Sequence, residues 1–325
     1  MSVRPAVRAA LFAGALPIGL CLAFGGAAPA ALAAEELPPK FREGVALFLA
    51  GDYKGCQLAF GRAVAEAPRA GLAARAAYGA ACCAAVRNDV DGGFEALALA
   101  LANGFIDLER ALTDPRLDTL RADARWLRFV TVTGERQEAH QRSLDPDLLR
   151  LYLEQQAELA APDRDLPAAR PDGTPAPAGA SRAADPDRSE TRRNAALELV
   201  AAGRATKPED AFHAAAILET SAQPAEVARA GELARQALAG DPDLLAARPL
   251  IATAADRSAM LAGKPQRFGT QIVEVGGKWQ LYAVDPAVSD DERAEWGLPP
   301  LAEAQARAAE LNRKTVTPAP AKSPG

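Results

Sequence analysis

The sequence predicts a mainly α-helical protein with a single β-hairpin, and three observations carry that prediction. Hydrophobic residues make up 49 % of the chain but aromatic ones only 5 %, so the core has to be assembled mainly from Ala and Leu, which suits helices packed at close range. Helix punctuation recurs, with Pro208 at a first helical position and Gly203, Gly240 and Gly263 just past the ends of apolar-periodic runs. A period of two appears once, on either side of Gly276-Gly277, a two-residue hairpin signature.

The first element reads as a leader. Arg4 and Arg8 precede an apolar run from Ala9 to Phe24 and a small-residue segment ending Ala31-Leu32-Ala33, the charged, hydrophobic and A-x-A order of a secretory signal peptide. Residues 1–33 are expected to be cleaved, leaving an exported protein, periplasmic or extracellular. Gly14, Pro17, Gly19, Gly25 and Gly26 interrupt a run already short for a membrane span, and Leu20 before Cys21 argues against a lipoprotein site. Cleavage removes two arginines and no acid, leaving 35 basic against 42 acidic residues and moving the formal charge from −5 to −7. That balance argues against a nucleic-acid partner, and the interspersed charges read as a solvated surface. No later stretch is long and apolar enough to span a bilayer.

Residues 34–130 read as helical repeats with a capping helix. From Phe41 the segment places Gly44, Leu47, Gly51-Asp52-Tyr53, Cys56, Phe60, Ala63 and Pro68 in register. It resembles a tetratricopeptide repeat, which needs small residues where two helices cross, an aromatic wedge on the second helix and a proline after it, with a period of roughly 34 residues. Gly44 and Cys56 are the small crossing residues and Phe60 is the wedge. A looser second repeat begins near Leu72, turns at Asn88-Asp89 and carries Gly93, Leu97 and Ala100 on its second helix. The run Leu112 to Asp123 resembles the closing segment of such arrays, with Pro115 starting a helix over the last open face. The resemblance implies a protein or peptide partner on the concave face, or a scaffolding role.

Residues 131–160 read as connecting helices, one from Pro146 to Leu159 with Asp145 as its cap. The stretch 161–188 carries Pro162, Pro167, Pro171, Pro175, Pro177 and Pro186 without an apolar period, so it reads as a disordered linker; residues 314–325 have the same character.

Residues 189–313 read as a helical domain with a hairpin over 270–284. Helices are expected over Glu190–Ala202, Pro208–Ser221, Pro224–Ala239, Pro249–Ala262 and Leu301–Asn312, with strands Thr270–Val275 and Lys278–Val284. The least generic stretch is Gly263-Lys264-Pro265-Gln266-Arg267-Phe268-Gly269-Thr270-Gln271, preceded by Asp256-Arg257. Two charges and three hydrogen-bonding side chains crowd into eight residues. The stretch is either a helix-to-strand joint whose polar groups satisfy its own backbone or a polar binding site of Asp256, Arg257, Lys264, Gln266, Gly269, Thr270 and Gln271. The Gly-x4-Gly-Lys-Ser/Thr spacing of a phosphate loop is absent.

Together with Phe212-His213-Ala214-Ala215 and Asp291-x-Arg293 before Gly297-Leu298-Pro299-Pro300-Leu301, this stretch resembles an uncharacterised bacterial family of mostly helical domains. The likeness covers about residues 145 to 313. It implies an architecture and a candidate site, and no reaction. Members place Gln-His where this chain has Glu219-Thr220, so a site needing His213 and a second histidine seven residues on is lost.

Two functional readings follow. In the first, an exported non-catalytic interaction protein grips a protein or peptide through its repeats, and its C-terminal domain offers a polar site for a small ligand or another protein. In the alternative, an exported enzyme, of which a hydrolase is the example, uses His213 as acid or base oriented by Asp256, with Arg257 and Lys264 holding an anion. Against the enzyme, HExxH, GxSxG, CxxC and glycine-rich nucleotide loops are absent, and only His140 and His213 exist. Neither cofactor nor metal is expected. After loss of Cys21 three cysteines remain; Cys56 can bridge to Cys82 or Cys83 in an oxidising compartment, or all three are small buried residues.

Overall fold

The computed structural model describes residues 8–9, 37–160 and 186–316. Residues 8 and 9 apart, the expected leader lies outside the described residues, as do 161–185 and 317–325. Among the described residues the protein is mainly α with one β-hairpin, in two compact units that divide between Leu144 and Asp145. No described helix is long and apolar enough to cross a membrane.

The N-terminal unit opens with two helical hairpins, α1 (Pro39–Leu49) with α2 (Tyr53–Glu66), and α3 (Ala70–Val86) with α4 (Val90–Ala102). Asp52 and Asp89 cap the second helix of each, accepting hydrogen bonds from the Gly55 and Gly92 amides at 2.8 and 3.1 Å. The tight turn before Asp89 puts Asn88 at φ 63°, where Asn is better tolerated than most residues.

The expected wedge is in place. The Phe60 ring meets Phe41 edge-on at 5.1 Å and fills the crossing so closely that a Cβ on Gly44 would lie 2.8 Å from it, and one on Gly79 3.1 Å. A second crossing repeats the device, since a Cβ on Gly93 would lie 2.7 Å from Leu120. Cys56 of α2 is bridged to Cys83 of α3 with Cα atoms 6.0 Å apart, and Cys82 is a free, buried thiol.

The closing segment departs from expectation. In place of one helix begun by Pro115, the chain forms α5 (Leu108–Thr113), a 3-10 turn (Pro115–Leu117) and α6 (Asp118–Arg121). Asp114 at φ −71°, ψ 110° breaks the helical path. Next comes α7 (Arg125–Gln141), so the boundary expected at residue 130 falls inside one helix and the unit runs on to Leu144.

In the C-terminal unit Asp145 caps α8 (Pro146–Ala160), accepting from the amides of Asp147 and Leu148 at 3.1 and 2.9 Å. α9 (Pro186–Ala201) begins inside the stretch read as linker. α10 (Pro208–Glu219) packs against α8, α9, α11 (Pro224–Gly240) and α12 (Ala247–Leu261). Ala211, Ala214, Ala215, Ala234 and Ala237 are fully buried in this core with Ile217 and Leu218, and their small side chains let the helix axes approach closely.

The sheet is the antiparallel hairpin of β2 (Ile272–Val275) and β3 (Lys278–Leu281), and β1 (Arg8–Ala9), which lies within the expected leader, pairs antiparallel with β2 while the leader is present. The β2–β3 turn places Gly276 and Gly277 at φ 60° and 78°, which Gly adopts without steric cost. The strands are shorter than the sequence reading because Thr270 and Gln271 are drawn toward α12, and Val284 pairs in parallel with Gln266. A short α13 (Asp290–Glu295), unforeseen in the sequence, precedes α14 (Leu301–Val316), which extends past the expected Asn312. Asn312 accepts from the Trp279 amide and donates to its carbonyl, each at 2.7 Å.

Candidate functional site

The stretch 263–271 is built around one carboxylate. α12 ends where Gly263 turns to φ 71°, with its own amide on the Met260 carbonyl and the Lys264 amide on that of Ala259. The chain then folds back alongside the helix and wraps Asp256, which is fully buried. One Asp256 oxygen accepts from the amides of Arg267 and Phe268 at 2.7 and 2.8 Å; the other accepts from the amide and hydroxyl of Thr270 at 2.9 and 2.8 Å. These four donors spread the buried charge over fixed dipoles.

Gln266 does the same for the loop's far side. Its Oε1 accepts from the Gln271 amide at 2.7 Å, and its Nε2 donates to the carbonyls of Gln271 and Tyr282 at 3.0 and 2.9 Å. Gln271, also buried, donates from Nε2 to the Thr270 hydroxyl at 3.0 Å. Gly269 sits at φ 73°, where an added Cβ would lie 2.6 Å from Leu301 Cδ1 and 3.1 Å from Arg293 Nη1. Arg257 donates from Nε to Glu219 Oε1 at 3.1 Å, both side chains buried, tying α12 to α10.

Of the seven expected binding residues, the structure brings Asp256, Gln266, Gly269, Thr270 and Gln271 into this internal network and commits Arg257 to Glu219. Lys264 alone of the seven is exposed. The neighbouring Arg267 is half-exposed and grips Glu292 through two bonds, 2.9 and 2.7 Å, and Asp285 at 2.7 Å; Glu292 first, then Asp285, raises its guanidinium above the ordinary value. Arg293 is buried, donating to the Pro299 carbonyl at 2.8 Å, and burial pulls its guanidinium below the ordinary value.

The proposed His213–Asp256 pairing finds no geometric support. His213 lies on α10 stacked against Tyr152 of α8, ring centroids 4.5 Å apart, while the four hydrogen bonds on Asp256 all come from residues 267–270. Burial pushes the Tyr152 hydroxyl up to about 12. Among the described residues, no group of three or more His, Cys, Asp or Glu is placed to hold a metal ion.

A second feature lies on the N-terminal unit. Asp114 accepts from Arg116 Nε and Nη2 at 2.8 and 2.5 Å and from the Tyr78 hydroxyl at 3.0 Å, with the Cys82 thiol at 3.8 Å. Burial pushes the Asp114 carboxyl up, but the hydrogen bonds and charge of Arg116, with the Tyr78 hydroxyl, hold it below the usual carboxylate value. This clasp covers Tyr78 and Cys82 of α3, leaving them buried, and Arg116 reaches over the Phe48 ring of α1 at 5.7 Å. The chain's own closing segment therefore lies on these positions of α3.

Beside the clasp is an open apolar cleft of about 400 Å³ lined by Leu112, Trp126, Leu127 and Val130, with Arg121 and Asp123 also in its wall. Leu127 is 72 % exposed and Leu112 46 %. Sequence reasoning missed it; the sign available was adjacency, since Trp126, Leu127, Phe129 and Val130 place four large apolar residues in five positions, more than one helix can bury.

No protein-family model matches this chain, and no solved structure matches it. Among curated proteins, a chloroplast protein of Arabidopsis thaliana is 36 % identical over 80 residues, which are 25 % of this chain and 24 % of that protein. The matched part thus spans about a quarter of the relative's length.

Proposed function

We propose that this chain is an exported, non-catalytic interaction protein, periplasmic or extracellular, whose N-terminal helical unit binds a protein or peptide partner. The observation that carries the proposal is the apolar cleft beside the α5–α7 segment. Exposed apolar surface with polar residues at its margin marks interaction sites, and a Trp flanked by an Arg is the composition of an interface centre. Export is supported by the leader pattern and by the Cys56–Cys83 bridge, since such bridges persist in oxidising compartments. The polar contact expected of the C-terminal unit falls to exposed Lys264, the other six candidates being committed inside the fold.

Affinity capture from the envelope of the exporting cell, using wild type, Leu127→Asp and Lys264→Ala, tests this. Leu127→Asp, whose helix content should be unchanged because the side chain is exposed, is expected to lose the principal partner at least tenfold. Lys264→Ala is expected to retain it. Equal recovery by a folded Leu127→Asp variant would overturn the assignment of the cleft.

A further inference from the structure

We propose that the Cys56–Cys83 bridge is a redox lock on the N-terminal unit, holding α3 in the position that shapes the cleft and releasing it when reduced. Three observations meet here. First, both cysteines are fully buried where α2 packs on α3, a seam built from Ala59, Phe60, Ala63, Ala76, Ala80 and the close-fitting Gly79. Reduction puts two thiols in place of one cross-link inside a close-packed interior, and such interiors pass small local changes on to the helices around them.

Second, α3 is wired to the cleft. Tyr78 donates to Asp114 and the Ala85 carbonyl accepts from Thr119 at 2.8 Å. Arg121, which lines the cleft, donates in turn to the Ala111 carbonyl at 3.2 Å and to that of Asp114. A displacement of α3 reaches the cleft wall through contiguous contacts. Third, two repeats fall short of the roughly three such arrays need for independent stability, so a covalent tie between the repeats has a large share in the unit's integrity.

Closing the lock moves two electrons and two protons from the two thiols to a disulfide-bearing oxidant, which leaves as two thiols; opening is the reverse, with a dithiol reductant ending as its own disulfide. The neighbouring thiol does not interfere. Cys82 is buried and its thiol is pushed up to about 12, first by burial, so it stays protonated, and only a thiolate attacks a disulfide.

The test is hydrogen exchange of the exported, leader-free protein with and without dithiothreitol, the redox state checked by thiol titration in denaturant. With Cys21 lost along with the leader, the oxidised protein should titrate one thiol, Cys82, and the reduced protein three. Reduction is expected to speed exchange at least tenfold across α2, α3 and residues 105–121 while leaving α10 to α12 unchanged. A Cys56→Ala/Cys83→Ala variant should ignore the reductant. Three thiols in the oxidised protein, or unchanged exchange over 105–121 after full reduction, would overturn the proposal. The readout is exchange and not capture, so it stands or falls separately from the identity of the cleft's partner.

Discussion

Asp114 and Asp256 are both buried carboxylates that gather a loop, and they do so by opposite means. Asp114 is answered by a cation: Arg116, two residues on, clamps both oxygens, and Tyr78 adds a hydroxyl. Asp256 is answered by the backbone, with three amides and one hydroxyl from 267–270. A cation partner that stays partly in solvent can relax when its acid is lost. Backbone amides folded around an acid cannot, because their positions exist only through it. The two regions thus contrast a clasp that fastens an already formed surface with a template on which a loop is built.

The largest expected effect tests the template. Asp256→Ala strands three amides, one buried and two part-buried, at about 1–3 kcal/mol each, so a loss of about 3–9 kcal/mol is expected in denaturant melts of the C-terminal unit. Asp114→Ala should cost only about 1–3 kcal/mol in the N-terminal unit, because Arg116 can turn to water. Equal costs for the two would break the comparison.

A third acid, Glu219, sharpens it, being buried against an equally buried cation, Arg257. Arg257→Ala should destabilise by about 3–5 kcal/mol by leaving Glu219 unpaired, whereas Glu219→Leu with Arg257→Met should recover most of that loss. A double variant as unstable as the single one would mean that the pair contributes more than mutual neutralisation.

Titration gives the smallest effect. The Asp114 carboxyl is held below its ordinary value in the folded unit, so its contribution is complete above the unfolded carboxylate pKa of roughly 4 and is lost as pH falls through the lower folded value. The Cys82 thiol, raised from 9.0 to about 12, behaves oppositely: stability complete below pH 9 is lost as pH rises toward 12. Melts of the N-terminal unit should therefore weaken at both extremes, and Cys82→Ala should flatten only the alkaline limb. An unchanged alkaline limb would assign it to Tyr78, also raised by burial.

Local signals were legible in the sequence where one residue type has one local job. Gly44 under Phe60, Asp145 capping α8, Gly263 closing α12 and Gly276-Gly277 turning the hairpin all sit where chemistry demands them. The Asp256 network was legible as density and misread as availability: a sequence displays that polar groups are crowded, but not that the chain doubles back so that they satisfy one another. The spacing of Gln266 and Gln271, flanking a Gly that must turn, was the available sign of internal pairing. The cleft was illegible for the reverse reason, since exposure of Leu127 depends on which helices stop short of it. Asp114 was hidden too, its break of the capping helix set by contacts to α3, thirty-odd residues upstream.

Asn312 carries a consequence for how this protein behaves in a crowd. By accepting from Trp279 N–H and donating to its carbonyl, one carboxamide imitates the neighbour that β3 lacks, and α14 lies along that strand. An open strand border recruits borders of other chains. A chain ending before Asn312 would keep its hairpin and lose its guard, and association of such chains through their sheets is the expected result.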